Sequence, residues 1–155
     1  MNFEKENFLR TKLISLLQKL NTDTPPRWGK MNARQMIEHM IDVVMVANGK
    51  IKLPIVTPPD KLPRLQEFMM SEKPFKENTK SQVLGEEPVP LKKQTKEAAI
   101  GKLQEEIIYF FEVFEKNPAL RTTHPVFGEL DLEMNIQILH KHALHHLRQF
   151  GIDVI

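Results

Sequence analysis

Apolar residues recur every three or four positions in four stretches of the chain, the spacing of an α-helix that buries one face. The first runs from about Glu4 to Leu20, with Leu9, Leu13, Leu16 and Leu20 on its inner side, and Pro25 and Pro26 prevent its continuation. The second runs from about Asn32 to Ala47 and buries Met36, Met40, Val43 and Ala47. Asn32 suits an N-cap, Gln35 three residues later can complete a capping box, and Gly49 is placed to stop the helix. The third, from about Lys96 to Lys116, follows the cap residue Thr95 and ends at Asn117-Pro118. Its stripe of Ala99, Leu103, Ile107, Phe110 and Phe114 is the signature of a core face, so its phenylalanines do not point to a cofactor box. The fourth runs from about Leu132 to Phe150, between the N-cap Asp131 and the stop Gly151.

Residues 50–94 have another character. Seven of the eleven prolines fall there, and the stretch is far longer than an ordinary connection between helices. A short helix is expected around Asp60–Met70, with irregular chain on either side. Long loops of this kind either close over a pocket or merely cross one end of a domain, and both readings stay open. No segment alternates like a strand apart from a weak pattern at Gln82–Leu84, and no internal repeat occurs. The expected fold is therefore all-α: a four-helix bundle in one domain over 1–155, with a long Pro-rich connection between helices two and three.

Charge and composition narrow the partners. Twenty-two basic residues stand against twenty acidic ones, with a pI near 8.8, too mild a balance to argue for nucleic acid or an anionic membrane. Lys73, Lys76, Lys80, Lys92, Lys93 and Lys96 lie in polar stretches without regular aromatic partners and read as a solvated surface. The absence of cysteine excludes disulfides, thiolate metal sites and a cysteine nucleophile. The N-terminus is charged at once, and Glu112 cuts the apolar run Ile107–Phe111, so no signal peptide or membrane span is expected. A soluble, cytoplasmic protein acting on a small molecule fits best, with homodimerisation left open.

The chemistry-bearing residues are the histidines. Of six, four fall between His140 and His146. At about 100° per residue, the fourth stretch buries Leu132, Leu139, Ala143 and Phe150, and His142 and His146 lie one turn apart on the flank of that stripe. His140 and His145 fall outside it and are expected to face outward. Two imidazoles at i and i+4 stand one above the other and can share a metal ion, although such pairs also occur without one. His39 reaches the flank of the buried face from the second stretch. Three histidines meeting from two helices point to a metal site with an open fourth position. Glu38 and Asp42 beside His39 are candidates for orienting a ligand or accepting a proton, against the plainer reading of a solvated helix face. Gln149 is placed to hydrogen-bond a ligand, and His124, in the loop before the fourth stretch, suits a structural role.

Three blocks of sequence carry a resemblance. Trp28-Gly29-Lys30-Met31 leads into Gln35-Met36-Ile37-Glu38-His39-Met40. His124-Pro125-Val126-Phe127-Gly128-Glu129-Leu130 follows, and His142-Ala143-Leu144-His145-His146-Leu147-Arg148-Gln149 supplies a His-x-x-His-His-x-x-Gln pattern. The chain thereby resembles the DinB-like (DinB/YfiT) superfamily of metal-dependent enzymes, in particular an uncharacterised subgroup of it. The resemblance implies a four-helix bundle holding a divalent metal, often Ni or Zn, through His39, His142 and His146. It further implies thiol-transferase chemistry with bacillithiol, glutathione or a similar thiol, or else metal-assisted hydrolysis. Asn135 departs from the subgroup, which usually has an aromatic residue there.

Two other functions compete with an enzyme: a metal-binding or stress-associated bundle without turnover, and a helical interaction module whose histidines line a polar pocket. No phosphate-cradling Gly-rich loop and no Gly-x-Ser-x-Gly elbow is present, and Ser15, Ser71 and Ser81 belong to no nucleophile motif.

Overall fold

The computed structural model describes residues 3–76, 92 and 95–154. They are mostly helical, with one two-stranded sheet. Helix α1 (Phe3–Asn7), a π-helical turn (Phe8–Lys12) and α2 (Leu13–Lys19) follow without a break and form one rod. A π turn is wider than an α turn and shifts the phase of everything beyond it. Leu9, Leu13 and Leu17 are accordingly buried, whereas Leu16, expected on the inner side, is only partly so.

Helix α3 (Ala33–Ala47) begins at a complete capping box. The Asn32 side chain accepts from the Gln35 backbone N–H at 2.8 Å, and the Gln35 side chain accepts from the Asn32 N–H at 2.9 Å. Gly49, at φ 87°, turns the chain out of the helix in a conformation that a side chain would strain. After a 3₁₀ turn at Pro59–Lys61 comes the short helix α4 (Leu62–Met70), where the sequence places one. Helix α5 (Lys96–Lys116) starts with the Thr95 hydroxyl accepting from the Ala98 N–H at 3.0 Å, and its five stripe residues are all buried. Helix α6 (Leu132–Gln149) is capped by Asp131, which accepts from the Met134 N–H at 2.9 Å.

Strands β1 (Thr122–His124) and β2 (Gly128–Leu130) pair antiparallel, with His124 opposite Gly128. This hairpin corrects the expectation of no strand outside Gln82–Leu84, a segment that lies outside the described residues. Three-residue strands are too short to show an alternation, and this pair is held from outside. Asn135 Nδ2 lies 3.0 Å from the Thr122 hydroxyl and 3.2 Å from the Leu130 carbonyl, and the Thr122 hydroxyl donates to the Ala47 carbonyl at 2.8 Å. Asn135 thus ties the hairpin to the start of α6 and the end of α3.

Helix α3 packs along α5 and against α6, and the α1–α2 rod touches both α5 and α6. Their apolar faces merge into one core that includes Leu17, Met36, Leu103, Phe110 and Leu147. Each such side chain stabilises by about 1.5–3 kcal/mol when fully buried. Glu106 is the one acidic residue in that seam among the described residues, 1% exposed. Asn48, Lys50 and Lys102 reach its carboxylate at 2.8–2.9 Å, which compensates its burial. A smaller cluster on the other side of α6 joins Met69, Phe127, Leu130 and Ile138, with Phe75 packed against it. No helix among the described residues is long and apolar enough to cross a membrane.

Candidate metal centre

Where α3 packs against α6, the chain brings three of its histidines together. His39 comes from the middle of α3; His142 and His146 lie one turn apart on α6. Each offers a ring nitrogen, and the three nitrogens lie within 4.8 Å of one another. The Nε2 atoms of His39 and His142 are 3.3 Å apart, and those of His142 and His146 2.8 Å. The rings of His142 and His146 stack with centroids 4.7 Å apart, and His39 meets both nearly edge-on. The other three histidines stand apart from this group of nitrogens.

The proton on His146 can be placed from its neighbour. Gln149, 4% exposed, donates through Nε2 to the Trp28 carbonyl at 2.9 Å, which turns its Oε1 toward His146 Nδ1 at 2.8 Å. An amide oxygen only accepts, so Nδ1 carries the hydrogen and Nε2 presents a lone pair to the other two rings. The Trp28 loop seats on Gln149 because residue 29 is glycine. Gly29 has φ 81°, and a Cβ there would stand 3.0 Å from Gln149 Nε2.

Burial keeps these rings neutral. Desolvation, aided by the neighbouring His145, lowers the His39 pKa to about 4. Desolvation also holds His142 and His146 well below the ordinary value, and the mutual repulsion of the imidazolium forms adds to it. The neutral ring is the form that ligates a metal.

The donor set fits a divalent ion. Two imidazole nitrogens at about 2.0–2.1 Å from one tetrahedral ion stand roughly 3.3 Å apart; the His39–His142 separation matches this, and the His142–His146 pair, at 2.8 Å, is closer. Three nitrogen donors from two rigid helices, with the outer nitrogen of one fixed by an amide, is the arrangement in which an imidazole is both basic and oriented. On its core side His142 borders a cavity of ≈ 20 Å³ that is otherwise lined by apolar side chains, among them Leu9, Met40 and Phe110. That side offers no polar approach, so a further ligand has to arrive from elsewhere.

The remaining predicted residues fall in different places. Asp42 is half-buried, and desolvation raises its pKa, with Lys92 opposing and Glu38 adding to the rise. Glu38 accepts from the Lys92 backbone N–H at 2.6 Å. His124 serves the hairpin: its Nδ1 accepts from the backbone N–H groups of Val126 and Phe127 at 3.0 and 3.2 Å. Asn135 belongs to the hairpin anchor described above.

Two expectations are corrected. His145 does not face outward: it is 6% exposed, with its ring 5.3 Å from that of Trp28 and 5.2 Å from that of His146. Its Nδ1 is buried without a hydrogen-bond partner. His140 is half-buried, edge-on to Phe8 at 5.1 Å. A helical wheel assumes one buried stripe, but α6 is also covered by the Trp28 loop, by α4 and by the chain after α4. Gln137 and Lys141 are buried there too. A lysine or glutamine in mid-helix ordinarily marks the solvated face, so nothing in the sequence flags this second buried side.

A family model, the DinB superfamily, matches residues 8–150. No curated protein and no solved structure matches the chain. The matched span takes in the π turn and α2, both helices that carry the three histidines, and the hairpin, and the chain therefore belongs to the DinB superfamily.

Proposed function

We propose that this protein is a divalent-metal-dependent enzyme whose ion, Ni or Zn, is held by His39, His142 and His146 with a position left open for a small-molecule substrate or thiol. The convergence of three neutral imidazole nitrogens within 4.8 Å carries this reading. Membership of a metal-associated family and the Gln149 bond to His146 support it. In the same reading the four long helices form a four-helix bundle, a single domain over 1–155, and the protein works in the cytoplasm.

When bound, an ion with an open position supplies Lewis acidity that makes a thiol or a water nucleophilic near neutral pH. The chain's own residues do the rest. The three histidines hold the ion, and Gln149 keeps His146 in the tautomer that donates its Nε2 lone pair. Glu38 and Asp42, on the His39 helix, are the candidates for taking up the proton that the nucleophile releases. Asp42 suits that role better than an exposed aspartate, because its raised pKa makes it the stronger base. Transfer of a thiol such as bacillithiol or glutathione to an electrophilic carbon is the favoured reaction, with hydrolysis as the other.

The test is turnover of an electrophilic aromatic halide with bacillithiol or glutathione by Zn- or Ni-loaded protein, compared with His142→Ala. Loss of at least about a hundredfold in kcat/KM is expected, the scale of a lost metal centre. Turnover unchanged by the substitution would remove the metal from the reaction. Stoichiometric metal without turnover on thiol or hydrolytic substrates would leave a metal-binding protein in its place.

A further inference from the structure

The chain after α4 is fastened to α6 by two buried polar side chains spaced four residues apart on one face of that helix. Gln137 donates through Nε2 to the Ser71 carbonyl at 3.0 Å. The Lys141 ammonium donates to the carbonyls of Phe68 at 3.0 Å, Ser71 at 2.8 Å and Lys73. Lys5 adds a third tie from α1, bridging the Glu72 carboxylate at 2.6 Å and the Gln137 side-chain oxygen at 2.7 Å.

Burying an ammonium is costly unless its hydrogens are satisfied, and here all three acceptors of Lys141 are backbone carbonyls at the end of α4. The Phe68 carbonyl belongs to the last turn of α4, where a cation is favoured, and those of Ser71 and Lys73 follow just beyond it. A segment that only crossed the surface would not need this much fixing. The result is one ring in one place. Phe75 stands edge-on to His142, with centroids 6.0 Å apart, and edge-on to His145 at 5.9 Å. Phe68 and Phe127 back it at 5.8 and 6.5 Å, and Phe75 itself is only half-buried.

We propose that Phe75 is the wall that sets the size of ligand admitted beside His142, and that Lys141 is the residue that positions it. The inference rests on the metal-centre reading and names a selectivity device of that same site. The ligand class is a small thiol or azole that can reach the metal past an aromatic edge, with bulky substituents turned away by the Phe75 ring. If Phe75 only filled the Met69–Phe127 cluster, its truncation would lower stability and leave ligand preference untouched.

The experiment uses Co(II)-loaded full-length protein, whose visible absorption reports ligands entering the metal's coordination sphere without any turnover. Wild type, Phe75→Ala, Phe75→Leu and Lys141→Met are each titrated with 2-mercaptoethanol and with glutathione, and with imidazole and 2-phenylimidazole. The larger member of each pair is expected to gain on the smaller by roughly tenfold in Phe75→Ala, a difference of the size that one removed steric contact produces. Phe75→Leu falls between, and Lys141→Met shifts in the same direction with Co(II) stoichiometry unchanged. Should Lys141→Met fail to fold, the two Phe75 variants decide the matter. Equal large-to-small ratios in wild type and Phe75→Ala would overturn the wall while leaving the metal centre standing. A wild type that takes up no Co(II) overturns the metal-centre reading and the wall with it.

Discussion

Gln149 illustrates how one side chain links the Trp28 loop to the metal-competent nitrogens: its amide spans the Trp28 carbonyl and His146 Nδ1. Gln149→Ala is expected to weaken Zn affinity about 10–100-fold, the usual effect of removing an orienting partner, with the fold intact. Competition with a chromophoric chelator measures this, and unchanged affinity would mean that His146 needs no orientation. His145 behaves differently. It is packed between Trp28 and His146 but belongs to no ligand set. His145→Ala should therefore cost roughly 1–3 kcal/mol in urea denaturation through lost packing, while metal stoichiometry stays as in wild type. Loss of the metal in this variant would show that His145, and not only its neighbours, is a ligand. The pairing of His142 and His146 in the three-histidine cluster was legible in the sequence, because helix phase alone brings positions 142 and 146 to one flank of α6. The burial of His145 was not, since it depends on Trp28 and Phe75, which are distant in the chain and carry no periodic signal.

Among the elements, capped amphipathic helices were the most legible. Asn32, Thr95 and Asp131 each make the cap bond that their positions imply, because a helix start is decided by residues within one turn of it. The phase of the first helix was less accessible. Its π turn at Phe8–Lys12 exchanges Leu16 for Leu17 at the core, and only packing against α5 and α6 decides that exchange. The hairpin was missed for a related reason: its stability comes from Asn135 and Thr122 rather than from strand patterning. Asn135→Ala is expected to destabilise the protein by about 1–3 kcal/mol in urea, since it leaves a buried hydroxyl and a carbonyl with one partner fewer. Metal affinity should be nearly unaffected, because the ties of Asn135 lie at the hairpin end of α6. A loss of affinity comparable to that of Gln149→Ala would place Asn135 in the site after all.

For the whole molecule, all six imidazoles are shifted the same way. His39, His124, His140 and His145 fall to about 4, and His142 and His146 well below 6.5, with desolvation the leading cause each time. In the unfolded chain they titrate near 6.5. Between the two values the unfolded state binds more protons, so stability rises with pH; it is fully present above about 6.5 and drains away as pH falls toward 4. Metal-free protein should therefore melt at least roughly 5 °C lower at about pH 5 than at about pH 7.5, given about 2–4 °C per kcal/mol for a chain of this size. A Tm that does not move over that interval would mean that the histidines are open to water. Metal loading should raise Tm at neutral pH by mass action, because only the folded chain brings His39 to His142 and His146. The most direct test of the central claim is the metal content of tag-free protein after reconstitution with Zn or Ni and removal of excess ion. About one ion per chain is predicted for wild type, with loss in each of His39→Ala, His142→Ala and His146→Ala and retention in His140→Ala. A content near zero in folded wild type, or full retention when all three histidines are replaced together, would contradict it.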